Sequence, residues 1–169
     1  ANTSVCINNP DASLNGTSTT GSAAWTTLGS GSFSPNNTTL NATYTPSAAD
    51  LSAGNVILIL TSSNNGICNW EDDSITVFFT PIPVVNAGND VTVCANNANV
   101  ALNGTSSTGA GIWSTSGTGT FSPTSTTLNA TYIPSSADTA AGLVALTLSS
   151  SNNGGCIPNT AQINITITD

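Results

Sequence analysis

The chain of 169 residues contains no lysine, no arginine, no histidine and no methionine. Without a basic side chain it cannot neutralise phosphates, which excludes nucleic acid as a partner. The same absence removes attraction to an anionic membrane surface and rules out side-chain salt bridges. It also leaves no histidine or lysine to activate the many hydroxyls, so the chain reads as a non-enzyme. Long apolar runs are missing: no stretch approaches the roughly 20 residues of a membrane span, and direct membrane insertion is not expected. The start lacks a basic segment followed by an apolar one, so any secretory signal is expected to have been removed or to lie outside this segment. Charge of either sign is scarce. Eight acidic residues give a net charge of -8, yet charged residues make up only 5% of the chain. The surface must therefore be serine, threonine, asparagine, glycine and alanine, and stability must come from apolar burial, backbone hydrogen bonds and cross-links.

What is present is a duplication. Residues 1–81 overlay residues 89–169 without a gap, and Cys6 to Cys94 and Cys68 to Cys156 are both separations of 88. Trp25 falls on Trp113, Phe33 on Phe121, Tyr44 on Tyr132 and Asp50 on Asp138. A repeat of this length is one supersecondary or domain unit used twice. Between the copies, residues 82–88 form a short proline-containing linker or lead-in strand, semi-rigid because of Pro81 and Pro83. Copy one has no equivalent of this lead-in, since Ala1 aligns with Asn89; the expectation is a piece of a longer array.

Within each copy, short β-branched stretches alternate with turn signals. Leu40, Ala42 and Tyr44 alternate with polar neighbours, as do Val56, Leu58 and Leu60, then Ile75, Val77 and Phe79. The second copy repeats the pattern. Period-two alternation sends each set to one face. The fold class expected is all-β: two tandem immunoglobulin-like β-sandwich modules, each with a short helical turn between the penultimate strands. Ser47 with Asp50, and Ser135 with Asp138, form S-x-x-D capping boxes, closed by Gly54 and Gly142.

A small module gains much from a staple. Equal cysteine spacing in both copies favours one intramodule disulfide each, Cys6–Cys68 and Cys94–Cys156, over pairings between copies. Closing such a loop is worth roughly 4 kcal/mol and implies an oxidising, extracellular compartment. Two isolated cysteines per module without histidine do not match zinc spacing.

The combination of TVCANN, G-x-W, GTGTFSP, LNATYxPSxAD and NNGxC, spread over nearly the whole of both copies, resembles the SprB-type gliding-motility adhesin repeats of Bacteroidota. That resemblance implies a large cell-surface filament, exported by the type IX pathway, propelled along the envelope and gripping the substratum. It also draws attention to two tripeptides similar to the Bacteroidota O-glycosylation motif, Asp73-Ser74-Ile75 and Asp138-Thr139-Ala140, whose attachment atoms are the hydroxyls of Ser74 and Thr139; chance in a chain rich in serine and threonine is the competing reading.

The copies are not equivalent. Glu71, Asp72 and Asp73 form the only carboxylate cluster, facing Asn159, Thr160 and Ala161 in copy two. It reads as a solvated turn before the last strand, with a calcium site as the alternative and catalysis a distant third. Asp90, at the start of copy two, is a second calcium candidate; no other cofactor is implied. Trp25 and Trp113 recur at one position and read as core, whereas Trp70 stands against Pro158 and reads as exposed at a module tip. Ile57, Ile59 and Phe78 replace Ala145, Thr147 and Thr166 on outward strand positions. They form an apolar contact patch, with Trp70 as a further contact candidate, or ordinary strand surface.

The function expected is a structural or adhesive segment of a surface filament. Its partners are neighbouring repeats of the same chain, with lateral self-association or a surface glycan or the substratum beyond them. A carbohydrate-binding accessory module is the alternative, weakened by how few aromatics are left for a platform. A threonine-rich ice-binding face is weaker still.

Overall fold

The computed structural model describes residues 2–169, and the chain divides into two compact units, Ala1–Ile82 and Pro83–Asp169. The lead-in from Pro83 onward thus belongs to the second unit rather than standing free as a linker.

In the first unit the strands are β1 (Thr3–Cys6), β2 (Ala12–Ser13), β3 (Ala23–Thr27), β4 (Ser32–Ser34), β5 (Thr43–Thr45), β6 (Asn55–Ser62) and β7 (Asp72–Thr80), with helix α1 (Ala48–Ala53) between β5 and β6. They form a four-stranded sheet, β1-β7-β6-β3, and a three-stranded sheet, β2-β5-β4. The alternation in β6 places Val56, Leu58 and Leu60 inward, and β7 adds Val77 and Phe79. Trp25 from β3 and Tyr44 from β5 complete an apolar core shared by the two sheets. This is an all-β sandwich.

The strand expected around Leu40 begins later, at Thr43. Two backbone turns precede it: the Thr39 N–H donates to the Asn36 carbonyl at 3.4 Å and the Ala42 N–H to the Thr39 carbonyl at 3.1 Å, and copy two repeats both at Thr127 and Ala130, at 3.2 and 3.1 Å. These turns delay the strand in both copies.

The second unit repeats the plan. Its strands are β8 (Val85–Asn86), β9 (Val91–Cys94), β10 (Val100–Ala101), β11 (Thr105–Ser106), β12 (Gly111–Thr115), β13 (Thr120–Ser122), β14 (Thr131–Ile133), β15 (Leu143–Ser150) and β16 (Thr160–Thr168), with helix α2 (Ser136–Ala141). The sheets are β12-β15-β16-β9 and β10-β14-β13, and a further ladder joins β8 to β11. Trp113, Tyr132, Leu146, Leu148 and Ile165 fill its core.

In both units the last strand runs parallel to an early one, β7 to β1 and β16 to β9. Thr3 to Cys6 pair in register with Val77 to Thr80, and Val91 to Cys94 pair with Ile165 to Thr168. This register corrects the expected cysteine pairing. Cys6 sits beside Thr80, at the far end of β7, while Cys68 lies ahead of Asp72, at its near end. Nine residues of strand span about 26 Å at about 3.3 Å per residue, far beyond the roughly 7 Å between Cα atoms that a disulfide tolerates. Cys94 and Cys156 are separated along β16 in the same way. Cys6 and Cys156 are each disulfide-bonded, whereas Cys68 and Cys94 are exposed free thiols.

Candidate functional site

The most elaborate polar arrangement in each unit surrounds one buried aspartate. In the first unit Ser47 caps α1: its hydroxyl accepts from the Asp50 N–H at 3.1 Å, and the Asp50 carboxylate accepts from the Ser47 N–H at 2.9 Å. The sequence pattern anticipates this capping box. It does not anticipate two further donors, the Tyr44 hydroxyl at 2.8 Å and the Ser30 N–H at 3.0 Å. Copy two repeats both, with Tyr132 at 2.8 Å and Thr118 N–H at 2.9 Å on Asp138.

The loop that brings these amides close must be glycine. A Cβ on Gly29 or Gly117 would fall 2.1 Å from the carboxylate, and one on Gly31 or Gly119 would fall 2.5 Å from the tyrosine oxygen. Recurrence of Gly-x-Gly, Tyr and Asp at one offset is the signal that could have revealed the network. Burial pushes the Asp138 carboxyl up, but the bonds from Ser135, Thr118 and Tyr132 outweigh it and hold the group at about 2. Asp50 is lowered by the same balance. Burial, opposed in part by the bond to Thr27 or Thr115, pushes Tyr44 and Tyr132 above the ordinary phenol value. Asp50 and Asp138 are buried, and each accepts from its own capping residue, from a loop N–H and from a tyrosine of the sheet, a structural lock holding α1 or α2 to its sheet.

The outward face of β6 and β7 carries the apolar residues peculiar to copy one. Ile57 stands opposite Thr76, Ile59 opposite Ser74, and Phe78 opposite Asn55. Ile57 and Phe78 are therefore diagonal neighbours, within reach of a large side chain. Leu28 joins them, since its N–H donates to the Ile57 carbonyl at 3.0 Å and its side chain is exposed. Sequence reading overlooks Leu28 because it falls one residue beyond β3; its counterpart Ser116 is the available signal. The same face in copy two carries Ser116, Ala145, Thr147 and Thr166. Trp70 is 68% exposed but lies in the loop before β7, at the end of the strand remote from Phe78, and is not part of this surface.

Ser74 lies on the exposed outer face opposite Ile59, with its hydroxyl open to solvent. Thr139 is half-buried in α2, where its hydroxyl donates to the Ser135 carbonyl at 3.0 Å. The acidic triplet does not converge: Asp72 and Asp73 are successive strand residues and point to opposite faces. Asp73 accepts from the Ser74 N–H at 2.8 Å. Asp90 accepts from the Asn164 N–H at 2.8 Å, fastening the start of β9 to β16, as Asn2 does for Thr76 at 3.1 Å. Among the described residues no group of three or more acidic, histidine or cysteine side chains could hold a metal. Trp25 and Trp113 are buried, each donating its indole N–H to a backbone carbonyl, Leu40 and Leu128, at 3.1 Å. Neither offers a sugar platform.

No family model and no curated protein matches the chain. Solved structures similar to it include the protocadherin gamma B2 extracellular cadherin domains 3–6, at 13% identity over 100% of this chain and 46% of that one, with a TM-score of 0.39. Drosophila N-cadherin EC1-4 is similar at 12% identity over 100% and 48%, with a TM-score of 0.39. The Sidekick-1 immunoglobulin domains 1–4 are similar at 13% identity over 99% and 49%, with a TM-score of 0.33. The chain spans just under half the length of each of these structures.

Proposed function

We propose that this chain is a load-bearing segment of an extracellular adhesive filament, of the gliding-motility kind that its repeat motifs resemble. The observation that carries the reading is the parallel pairing of first and last strands in the first unit, β1 with β7, echoed by β9 with β16 in the second. Tension applied to the two ends of the first unit pulls these neighbouring strands in opposite directions along their axes. The ladder is then sheared, with its hydrogen bonds loaded together, instead of being unzipped one at a time. Side-chain bonds reinforce it in the first unit: Thr80 hydroxyl to the Val5 carbonyl at 3.1 Å and Thr76 N–H to Asn2 at 3.1 Å. The disulfide supports an oxidising location, and the scarcity of charge leaves a hydroxyl-rich surface, open at Ser74 to glycosylation.

Single-molecule pulling provides the test, because Cys68 offers a natural second handle. Drawn from its amino and carboxy termini, the first unit is expected to yield at high force. Held by its amino terminus and Cys68, which lie at the same end of β7, it is expected to peel at a markedly lower force. Equal forces in the two geometries would remove the load-bearing reading. Surface display is tested by antibody labelling of intact source cells: travelling spots are expected, and label confined to the cell interior would end the filament assignment.

A further inference from the structure

Among the described residues, the second unit carries a strand with no counterpart in the first. β8 pairs antiparallel with β11, Asn86 with Thr105 and Val85 with Ser106. The Ser107 N–H donates to the Val84 carbonyl at 2.8 Å, the Val84 N–H donates to the Ser107 hydroxyl at 2.9 Å, and Asn159 Nδ2 donates to the Pro83 carbonyl at 2.9 Å. Ala87 is buried and Val85 packs against the core. The lead-in is thus a full member of its module's fold.

In the first unit the matching backbone, Thr17 and Ser18, belongs to no strand among the described residues. Beside it runs an open groove of about 1010 Å³, lined by Thr17 to Thr20, Leu14, Trp25, Leu60, Ile75 and Cys68 among others. The two copies differ here in a consistent direction. Gly104, Ser150 and Ile163 are buried, whereas Gly16, Ser62 and Ile75, their counterparts, are only half-buried. The difference has the size and position of one extended strand.

We propose that this groove is a receptor for a strand of the lead-in type, Pro83-Val84-Val85-Asn86-Ala87-Gly88, supplied by a further copy of the module joined directly ahead of the one that receives it. The register favours an in-line donor. Gly88 is followed by Asn89, which aligns with Ala1, so a lead-in ending at Ala1 would enter the groove by the path seen in the second unit. The chain's own lead-in is already engaged with β11 and is not free to serve a second molecule. Unpaired backbone at a sheet edge is a template for strand addition, and the alternating Val85 and Ala87 match an apolar floor.

The thiol at the groove completes the seat. Cys68 occupies the position of Cys156, which is disulfide-bonded, yet Cys68 is an exposed free thiol on the groove wall. It is therefore available to bond a thiol of the donor copy, of which the Cys6 equivalent is the one tested below. Two thiols would lose two protons and two electrons to a small-molecule disulfide such as oxidised glutathione, which is reduced to two thiols. One feature differs: Glu71 replaces Asn159 and offers no side-chain amide N–H to the lead-in carbonyl. The seat in copy one is therefore weaker by that bond.

The test extends the chain at Ala1 with residues 81–88 and measures amide exchange by NMR. The Thr19 N–H, counterpart of Ser107, is expected to slow by about tenfold or more, with Ser107 itself unchanged as internal reference. An extension carrying Val85→Asp is expected to leave Thr19 fast, and Glu71→Asn to slow it further. A longer chain with residues 1–88 duplicated ahead of Ala1, oxidised with glutathione, is expected to lose the Cys68 thiol to a bond with the added Cys6 copy. Thr19 exchange unaffected by the native extension would overturn strand addition. Cys68 remaining a thiol in the longer chain would overturn the covalent clasp.

Discussion

Replacing Asp138 by asparagine tests whether a charge, and not merely a polar contact, locks helix to sheet. Asp138 is 3% exposed and accepts from Thr118 N–H, Ser135 N–H and Tyr132 hydroxyl at 2.9, 2.9 and 2.8 Å. An asparagine amide keeps the shape but turns one acceptor into a donor facing a donor, and it weakens the remaining bonds. At neutral pH the expected loss is about 2–4 kcal/mol. The pH dependence separates charge from shape. A carboxyl titrating at about 2 when folded and near 3.8 when unfolded contributes about 2 kcal/mol. Because the folded value is depressed, that contribution is complete well above the unfolded value and drains away as the pH falls toward the folded one. The gap between native chain and Asp138→Asn should therefore narrow by about 2 kcal/mol between about pH 6 and pH 2. Urea titrations followed at the Trp113 indole N–H resonance would read it, since Trp113 is the only tryptophan of the second unit. A gap of equal size at both pH values would refute the charge argument and leave packing as the cause.

Two further outcomes are expected. Alkylation of the native protein before peptide mapping should label Cys68 and Cys94 and leave Cys6 and Cys156 unlabelled until reduction; a Cys6–Cys68 peptide would contradict the parallel register of β1 and β7. Substituting Leu28, Ile59 and Phe78 together by threonine should cost less than about 1 kcal/mol, the range of exposed positions, while abolishing any self-association seen by sedimentation; association that survives would move the contact elsewhere.

What was legible in the sequence was local. Capping boxes act within one turn, so Ser47 with Asp50 and Ser135 with Asp138 could be read directly, and the left-handed glycines that close both helices, φ 79° at Gly54 and 73° at Gly142, follow from the same short range. The alternation in β6, β7, β15 and β16 was equally plain, because one buried face forces period two over eight or nine residues. The alternation around Leu40 runs further than the strand, because consecutive backbone turns end at Thr39 and Ala42. The contact face was half seen: Ile57, Ile59 and Phe78 stood out against copy two, but Leu28 required the bond between its N–H and the Ile57 carbonyl.

The cysteines show why the remainder was hidden. Spacing alone treats Cys6 and Cys68 as the ends of a loop, and a loop can be closed by any bond its length permits. The register of β1 on β7 turns that loop into a rod with one thiol at each end, and a rod cannot be bent to join its ends. Each thiol of such a rod is then left to find a partner outside its own strand pair. The lead-in is hidden for a similar reason: the second unit extends its pairing with residues that precede its cysteine-bearing strand β9. Identity between the copies conceals this, because the overlay matches residue to residue and ignores what lies between. The non-identical part, residues 82–88, contains the lead-in strand, and the residues peculiar to copy one, Leu28, Ile57, Ile59 and Phe78, lie on the outer face of β6 and β7 or beside it. Joining and contact are thus separable on this chain, which lets one be altered by substitution while the other serves as the control.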